Sequence, residues 1–289
     1  SIEGMKTKGV RSCCCNSSVI NFGRYRRTSD GQWVQRYQCK TCRKTFSQAS
    51  FEPEYRQKRR DVNHKCMMLL GSNVSMRRTA MILRVHPITV AKKLEFLSSK
   101  YKSKVFSRQA IYEGCETIQF DELHTIEHTK CKPVAVAMAV AKETRKILGF
   151  SISTMPASGH LAAIARRKYG HRKNERLKGL NWLFDHLKDS VHGPVMFQSD
   201  DCPLYPRVVR SRFPKASYEQ FKGQKGCIGG QGELKKMRID PLFAINHTFA
   251  MLRANINRLI RRTWNTTKKL SRLFDHLIVY CWVHNMRLT

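Results

Sequence analysis

An α/β architecture with a small cysteine module in front follows from three observations on the sequence. Apolar segments of strand length gather between residues 117 and 221, helical patterns precede and follow them, and a cysteine-rich stretch too small to fold unaided opens the chain. The expected organisation is a cysteine module over residues 10–58, a helical domain over 59–100 and a linker over 101–116. An α/β domain follows over 117–265, with a helical insertion at about 158–192, and a closing helix runs over 266–289. Ser1-Ile2-Glu3-Gly4 ahead of Met5 reads as a tag scar, and residues 1–9 as a tail outside the fold.

The cysteine module carries Cys13, Cys14 and Cys15, then Cys39 and Cys42 in Tyr37-Gln38-Cys39-Lys40-Thr41-Cys42. A Cys-x-x-Cys knuckle behind an earlier cysteine cluster has the spacing of a zinc ribbon, and Zn²⁺ suits a module this small because metal binding supplies its folding energy. The first pair is irregular, since Ser12 stands where a regular knuckle has cysteine. Cys15 is the firmest early ligand, with Cys13 or Cys14 as its partner. Eleven cysteines, no apolar leader and four thiolate ligands together predict a reducing, cytoplasmic setting.

Over residues 59–100, Met67-Met68-Leu69-Leu70-Gly71 ends one helix. Residues 75–83 and 88–94 then form two more around a tight turn at Val85-His86-Pro87. Helix, short turn, helix is a DNA-reading arrangement in which the second helix enters the major groove, with Thr89, Lys92 and Lys93 facing DNA. A plain three-helix bundle fits the same pattern. The linker is marked by Lys100, Lys102, Lys104 and Arg108.

Strands are expected at residues 117–123, 133–141, 147–154 and 194–201, with a fifth at 216–221 and helices at 243–262 and 266–285. The first three strands are consecutive and antiparallel, joined at Lys142–Lys146. The fourth follows a helix and lies parallel to the first. Asp121 and Asp200 end apolar stretches of the first and fourth strands, so that pairing sets them side by side. Two adjacent carboxylates are costly unless a cation lies between them, and hard oxygen ligands favour Mg²⁺ or Mn²⁺. Two such ions can cleave a phosphodiester. Strand-end caps or salt-bridge partners are the ordinary alternative for either residue.

The charge balance selects the partner. Lys and Arg number 54 against 21 Asp and Glu, a net charge of +33 spread along the whole chain. That distribution points to phosphate backbones, and no apolar run approaches the ~20 residues of a membrane span. A hydrophobic content of 41% excludes a disordered basic tail. Residues 251–272 alone carry Arg253, Arg258, Arg261, Arg262, Lys268, Lys269 and Arg272 with no acid, on one expected helix face.

Five segments resemble the transposases of the IS-one (insertion sequence one) family. Gln35–Thr45 is similar to their zinc ribbon, and Arg78-Thr79-Ala80 with Val85 and Thr89 to their helix-turn-helix. Phe120-Asp121-Glu122-Leu123 and Ser199-Asp200 with Tyr205 resemble their first two acidic motifs, and Leu252-Arg253, Ile256, Arg258-Leu259 and Arg261-Arg262-Thr263 their terminal basic helix. The resemblance implies a ribonuclease-H-like (retroviral-integrase-like) catalytic domain of the DDE type. Its expected activity is binding of double-stranded DNA at terminal inverted repeats, strand cleavage and 3′-hydroxyl transfer into target DNA. A homodimer or larger assembly on the DNA, in a bacterial or archaeal nucleoid, is expected with it. Two departures stand out. Residues 158–192 and 222–241 are longer than the family's connections, and Asn246 occupies the place of the third acid, seven residues before Arg253. An amide oxygen can ligate Mg²⁺ but brings no charge. Glu233 and Glu219 are the alternative third ligands, and helix capping is the alternative role for Asn246. Two further functions compete with transposition: a nuclease that only hydrolyses, and a non-catalytic DNA-binding regulator.

Overall fold

The computed structural model of the chain describes residues 18–28, 30–106, 115–189, 191, 194–222, 240–260 and 264–288. It has two compact units, Ser1–Lys65 and Cys66–Thr289. In the first, β1 (Val19–Arg26), β2 (Trp33–Cys39) and β3 (Thr45–Ser47) form an antiparallel sheet in that order. The turn before β2 is closed by the Arg27–Asp30 ion pair and by Gly31, whose φ of +71° suits a residue without a β-carbon. Cys39 ends β2, and a tight turn returns the chain to β3. Its Cys39 N–H donates to Lys44 O, its Arg43 N–H donates to Cys39 O, and Arg43 takes a φ of 57°. Cys42 lies in that same turn. Most of β1 is exposed, and the buried apolar residues ahead of the first α-helix are Cys39, Phe46, Ala49 and Val62. Cys13, Cys14 and Cys15 lie outside the described residues.

Helix α1 (Asn63–Leu70) carries the boundary between the units. It is followed by α2 (Met76–Ile82) and α3 (Pro87–Val105). The Ser75 hydroxyl accepts from Arg78 N–H and caps α2, while His86 Nδ1 accepts from Ile88 N–H and Pro87 opens α3. The predicted helices are present, but the linker expected from residue 101 is not one at its start. Helix α3 runs on to Val105, because Leu94, Leu97, Ser98 and Val105 continue its buried face. Tyr101 stacks on Trp282 at 4.7 Å, and Phe106 packs against Phe150, Trp182 and Phe274. The lysines of this stretch coat an embedded helix.

The central sheet has five strands in the order β6-β5-β4-β7-β8: β4 (Thr117–Ile126), β5 (Pro133–Ala141), β6 (Ile147–Thr154), β7 (Met196–Asp200) and β8 (Ser217–Phe221). The first three are antiparallel and β7 lies parallel to β4, as the sequence predicts, and β8 adds a second parallel strand beside β7. β5 shows how two layers are built from one strand. Val134, Val136, Met138 and Val140 face α7 (Phe243–Asn255) and α8 (Leu270–Met286), whereas Ala137, Ala139 and Ala141 face α5 (Arg176–Lys188) and α6 (Tyr205–Arg212). The small alanines admit the rings of Phe120, Phe184 and Phe197.

Two expectations change here. Residues 158–192 are not a peripheral insertion throughout. α4 (Leu161–Tyr169) is largely exposed, but α5 buries Leu180, Leu183, Phe184 and Leu187 and forms one face of the core. It approaches β6 so closely that a β-carbon at Gly179 would meet Ser153 Oγ at 1.9 Å. The helix expected over 243–262 ends at Asn255, because Ile256 turns extended (φ −118°, ψ 103°) to bury its side chain completely. A 3-10 turn at Asn257–Leu259 follows, so Arg253 and Arg258 do not share a helix face.

On α8, His276 is buried and donates from Nε2 to Leu70 O at 2.8 Å. Burial, then the charge of Arg258, pushes its pKa down to about 3 from 6.5. The folded ring stays neutral while the unfolded chain takes up a proton, so this group's stabilisation is complete above about 6.5 and is lost as pH falls towards 3. Its loss should approach 1.4 kcal/mol per pH unit, at about the rate linkage sets for one proton. His276→Gln, whose amide can still donate to Leu70, should flatten urea-unfolding stability between pH 7 and 5. An unchanged slope would remove His276 as the cause.

Candidate active site

β4 and β7 pair in parallel with Thr117 opposite Met196 and Gln119 opposite Gln198. Two residues further along the same register stand Asp121 and Asp200, and strand alternation turns both to the face of the two glutamines. Gln119, with no exposed surface, fastens this region. Its Nε2 donates to Gln198 Oε1 (3.0 Å) and to Pro241 O (2.7 Å), and its Oε1 accepts from Ile245 N–H (3.2 Å). Gln198 Nε2 in turn donates to Glu219 Oε2 at 3.0 Å. A polar rung thus crosses β4, β7 and β8 beside the carboxylate pair and holds the start of α7 against the sheet.

Asp121 Oδ1 accepts from Glu122 N–H (2.7 Å) and from the Tyr205 hydroxyl (3.0 Å), leaving Oδ2 without a hydrogen-bond partner among the described residues. Tyr205 comes from the first turn of α6, just after β7, and is almost wholly buried. Asp200 Oδ1 accepts from Cys202 N–H at 3.1 Å. Burial first, and the charge of Asp200 second, push Asp121 up to about 6; burial also raises Asp200. Neither aspartate forms an ion pair with Lys or Arg among the described residues, although the chain carries 54 of them. The nearby guanidinium of Arg176 is engaged elsewhere. It pairs with the buried Glu122 through Nη2 and through Nε at 2.9 Å, and that bond holds its pKa above the usual arginine range.

Among the described residues neither of these adjacent, half-buried carboxylates is ion-paired, although the charge of Arg176 acts on Asp200 through space, so the salt-bridge alternative is not met for either. Their oxygens fit a hard divalent ion, which would relieve the repulsion. Among the described residues no third His, Cys, Asp or Glu joins them in a group that could hold a metal.

The other predicted residues are placed as follows. Asn246 is exposed in the first turns of α7, and its Nδ2 donates to Asp240 Oδ2 at 2.9 Å. Its neighbour Ile245 is the residue bound to Gln119. Asn246 does not cap α7, whose N-cap position is Leu242; Asp240 closes the turn ahead of the helix, accepting Leu242 N–H at Oδ1 while its carbonyl accepts Phe243 N–H. Glu219 lies on β8, level with Gln119 and occupied by Gln198, one rung short of the aspartates. Glu233, Arg261 and Arg262 lie outside the described residues.

On the helix-turn-helix, Arg78 and Lys92 are exposed and Thr89 is half-buried. Lys93 does not face outward: it is 3% exposed, because position 93 falls one turn from Val90 on the buried stripe of α3. Arg253 and Arg258 are half-buried. Sequence reasoning overlooked Gln119, Gln198, Asp240 and the Glu122–Arg176 pair. A glutamine between Ile118 and Phe120 in an otherwise apolar strand was the available signal.

No protein-family model matches the chain, and no curated protein matches it. What fold and site define is therefore a mixed α/β protein with a paired carboxylate between parallel neighbouring strands. No helix among the described residues is long and apolar enough to cross a membrane.

The Glu122 carboxylate is 2% exposed at its side chain, so losing Arg176 would strand a buried charge. Arg176→Met should lower unfolding stability by about 3 kcal/mol in urea denaturation, and adding Glu122→Gln should recover most of it. Equal losses in the single and double variants would show that the arginine acts through packing instead.

Proposed function

We propose that the chain is a DNA transposase of the DDE type, with a ribonuclease-H-like catalytic domain that cuts DNA strands and joins the new 3′-hydroxyl to target DNA. One observation carries this reading: Asp121 and Asp200 stand at one register level on neighbouring parallel strands, unpaired with any described cation, in a chain of net charge +33. The strand order, with three antiparallel strands followed by two parallel ones, supports the fold assignment.

In this reading Asp121 and Asp200 hold Mg²⁺ or Mn²⁺, with the side-chain oxygen of Asn246 as third ligand at the start of α7. Bound there, a divalent ion supplies Lewis acidity at the scissile phosphate and at the leaving oxygen. Tyr205 and the Glu122 amide hold Asp121 Oδ1, directing Oδ2 to the site. Arg176 is bonded to Glu122 and not to either aspartate, so both carboxylates are left for the ion. Water attacks phosphorus, the bond to the 3′ oxygen breaks, and a 3′-hydroxyl is left. That hydroxyl then attacks a target phosphodiester, one bond forming as another breaks. Helices α2 and α3 bind duplex DNA through Arg78 and Lys92, and Zn²⁺ on Cys39, Cys42, Cys15 and Cys13 or Cys14 stabilises the first unit. Pairing of two DNA ends calls for at least a dimer.

A strand-transfer assay on labelled end DNA with Mg²⁺ or Mn²⁺ tests the reading. Asp121→Ala and Asp200→Ala should each reduce cleavage at least a thousandfold, ~4 kcal/mol of barrier, with DNA binding intact. Asn246→Asp should keep or raise metal-dependent cleavage, since a charged oxygen replaces a neutral one, and Asn246→Ala should remove most of it. Cleavage without joining would make the protein a nuclease, and binding without cleavage a regulator. Full activity in Asn246→Ala would shift the third-ligand role to Glu233 or Glu219.

Elemental analysis of chelator-free protein should find about one zinc per chain. Cys39→Ser should release it and unfold the first unit while the second keeps its melting transition, because the metal's binding energy is folding energy for the small module alone. Well under one zinc in the unaltered protein would exclude the site.

A further inference from the structure

A groove of about 540 Å³ opens between the start of α2 and the segment that leads into α8. Five cations line it, Arg77, Arg258, Lys268, Lys269 and Arg272, and no acid does. Their situations differ. Arg272 is paired with Glu95 and Asp275, and Lys268 is bonded to His128 and Thr266. Arg77 and Lys269 are exposed, and their side chains have no hydrogen bond or ion pair among the described residues.

Arg258 is the informative one. It is half-buried, its Nε is buried without a partner, and its guanidinium reaches only Met76 Sδ, at 3.9 Å. A desolvated guanidinium bonded to a thioether, with Asp275 acting on it only through space while paired to Arg272, is costly, and burial accordingly weakens its hold on the proton. An anion arriving in the groove would supply the missing counter-charge. Beside these cations stands Trp264, with its side chain 100% exposed and no ring partner among the described residues. An indole left entirely in water gains nothing from folding. Next to phosphate-binding cations it has the chemistry of a platform on which an unpaired base stacks.

We propose that this groove binds an unpaired DNA strand, with phosphates on Arg258, Arg77 and Lys269 and one base stacked on Trp264. A base inside an intact duplex offers no free face, so the site distinguishes opened or single-stranded DNA ends from closed duplex. The proposal rests on the reading of the chain as a DNA-processing protein and adds a second binding surface to the duplex contacts of α2 and α3.

The test compares binding of the full chain to a blunt duplex and to the same duplex with a single-stranded end, by fluorescence anisotropy at one fixed salt concentration. The unaltered protein should bind the single-stranded end about tenfold more tightly, as one stacked base provides. Trp264→Ala should abolish that preference and leave blunt-duplex binding unchanged, while Trp264→Phe should keep much of it. Arg258→Met should also weaken binding to the single-stranded end. It should not lower the melting temperature, because it removes a desolvated charge rather than a structural bond; a clear drop in melting temperature would reassign Arg258 to the fold and overturn its part. If Trp264→Ala retains the full preference, or if none exists, the inference fails while duplex binding and the transposase reading stand. If the unaltered protein binds neither DNA, both fail together.

Discussion

Gln119 is the fixed point of the second unit. It is a polar side chain in a strand otherwise apolar up to Asp121, and burying it is tolerable only because both ends of its amide are fully used. Its three bonds join the central strand, the parallel neighbour and the first turn of α7. Strand order, register and helix docking are thereby settled by one residue, two positions from Asp121. Shifting β7 by a single residue would break the rung and turn Asp200 to the opposite face.

The electrostatics around that point are arranged against the general tendency of the chain. An excess of 33 positive charges would be expected to neutralise any carboxylate, yet the acid beside the pair, Glu122, is given an arginine and the pair itself is not. Glu122 lies on the opposite face of β4, towards α5 and α6, and Tyr205 reaches from that side to Asp121. The sheet thus separates a neutralised carboxylate from two that remain available. Burial first, and then repulsion within the pair, show in the raised proton affinity of Asp121.

Strands and the positions of the carboxylates were legible in the sequence because they depend on local patterns. β5, with valines on one face and alanines on the other, announces itself, and Asp121 and Asp200 are conspicuous in a chain poor in acids. What could not be read depended on the partner surface. Position 93 falls on the buried stripe of α3, but a lysine there reads as solvent-facing until its packed neighbours, Cys66 of α1 among them, are known. The end of α7 is decided by where Ile256 finds space, not by a proline or glycine stop. Asp240 was hidden because its role, a turn that accepts Leu242 N–H just ahead of α7, depends on where that helix start docks and leaves no local pattern in the sequence. Helix α5 looked peripheral because its polar residues mask a stripe of leucines and phenylalanine that only the alanine face of β5 explains.

The continuity of α3 has a geometric consequence. The helix that presents Lys92 runs for 19 residues without a break, and its far end is held by the stacking of Tyr101 on Trp282 and by Phe106 in the aromatic cluster over β6. The helical pair is therefore mounted on the α/β body like a calliper jaw, at a span fixed by packing instead of by a flexible tether. Under the proposed function, in which one end of this rod grips duplex DNA and the chemistry lies beside β4, the distance from recognised sequence to altered phosphate becomes a molecular measurement. It would be read out in whole base pairs and would be insensitive to the length of any surface loop.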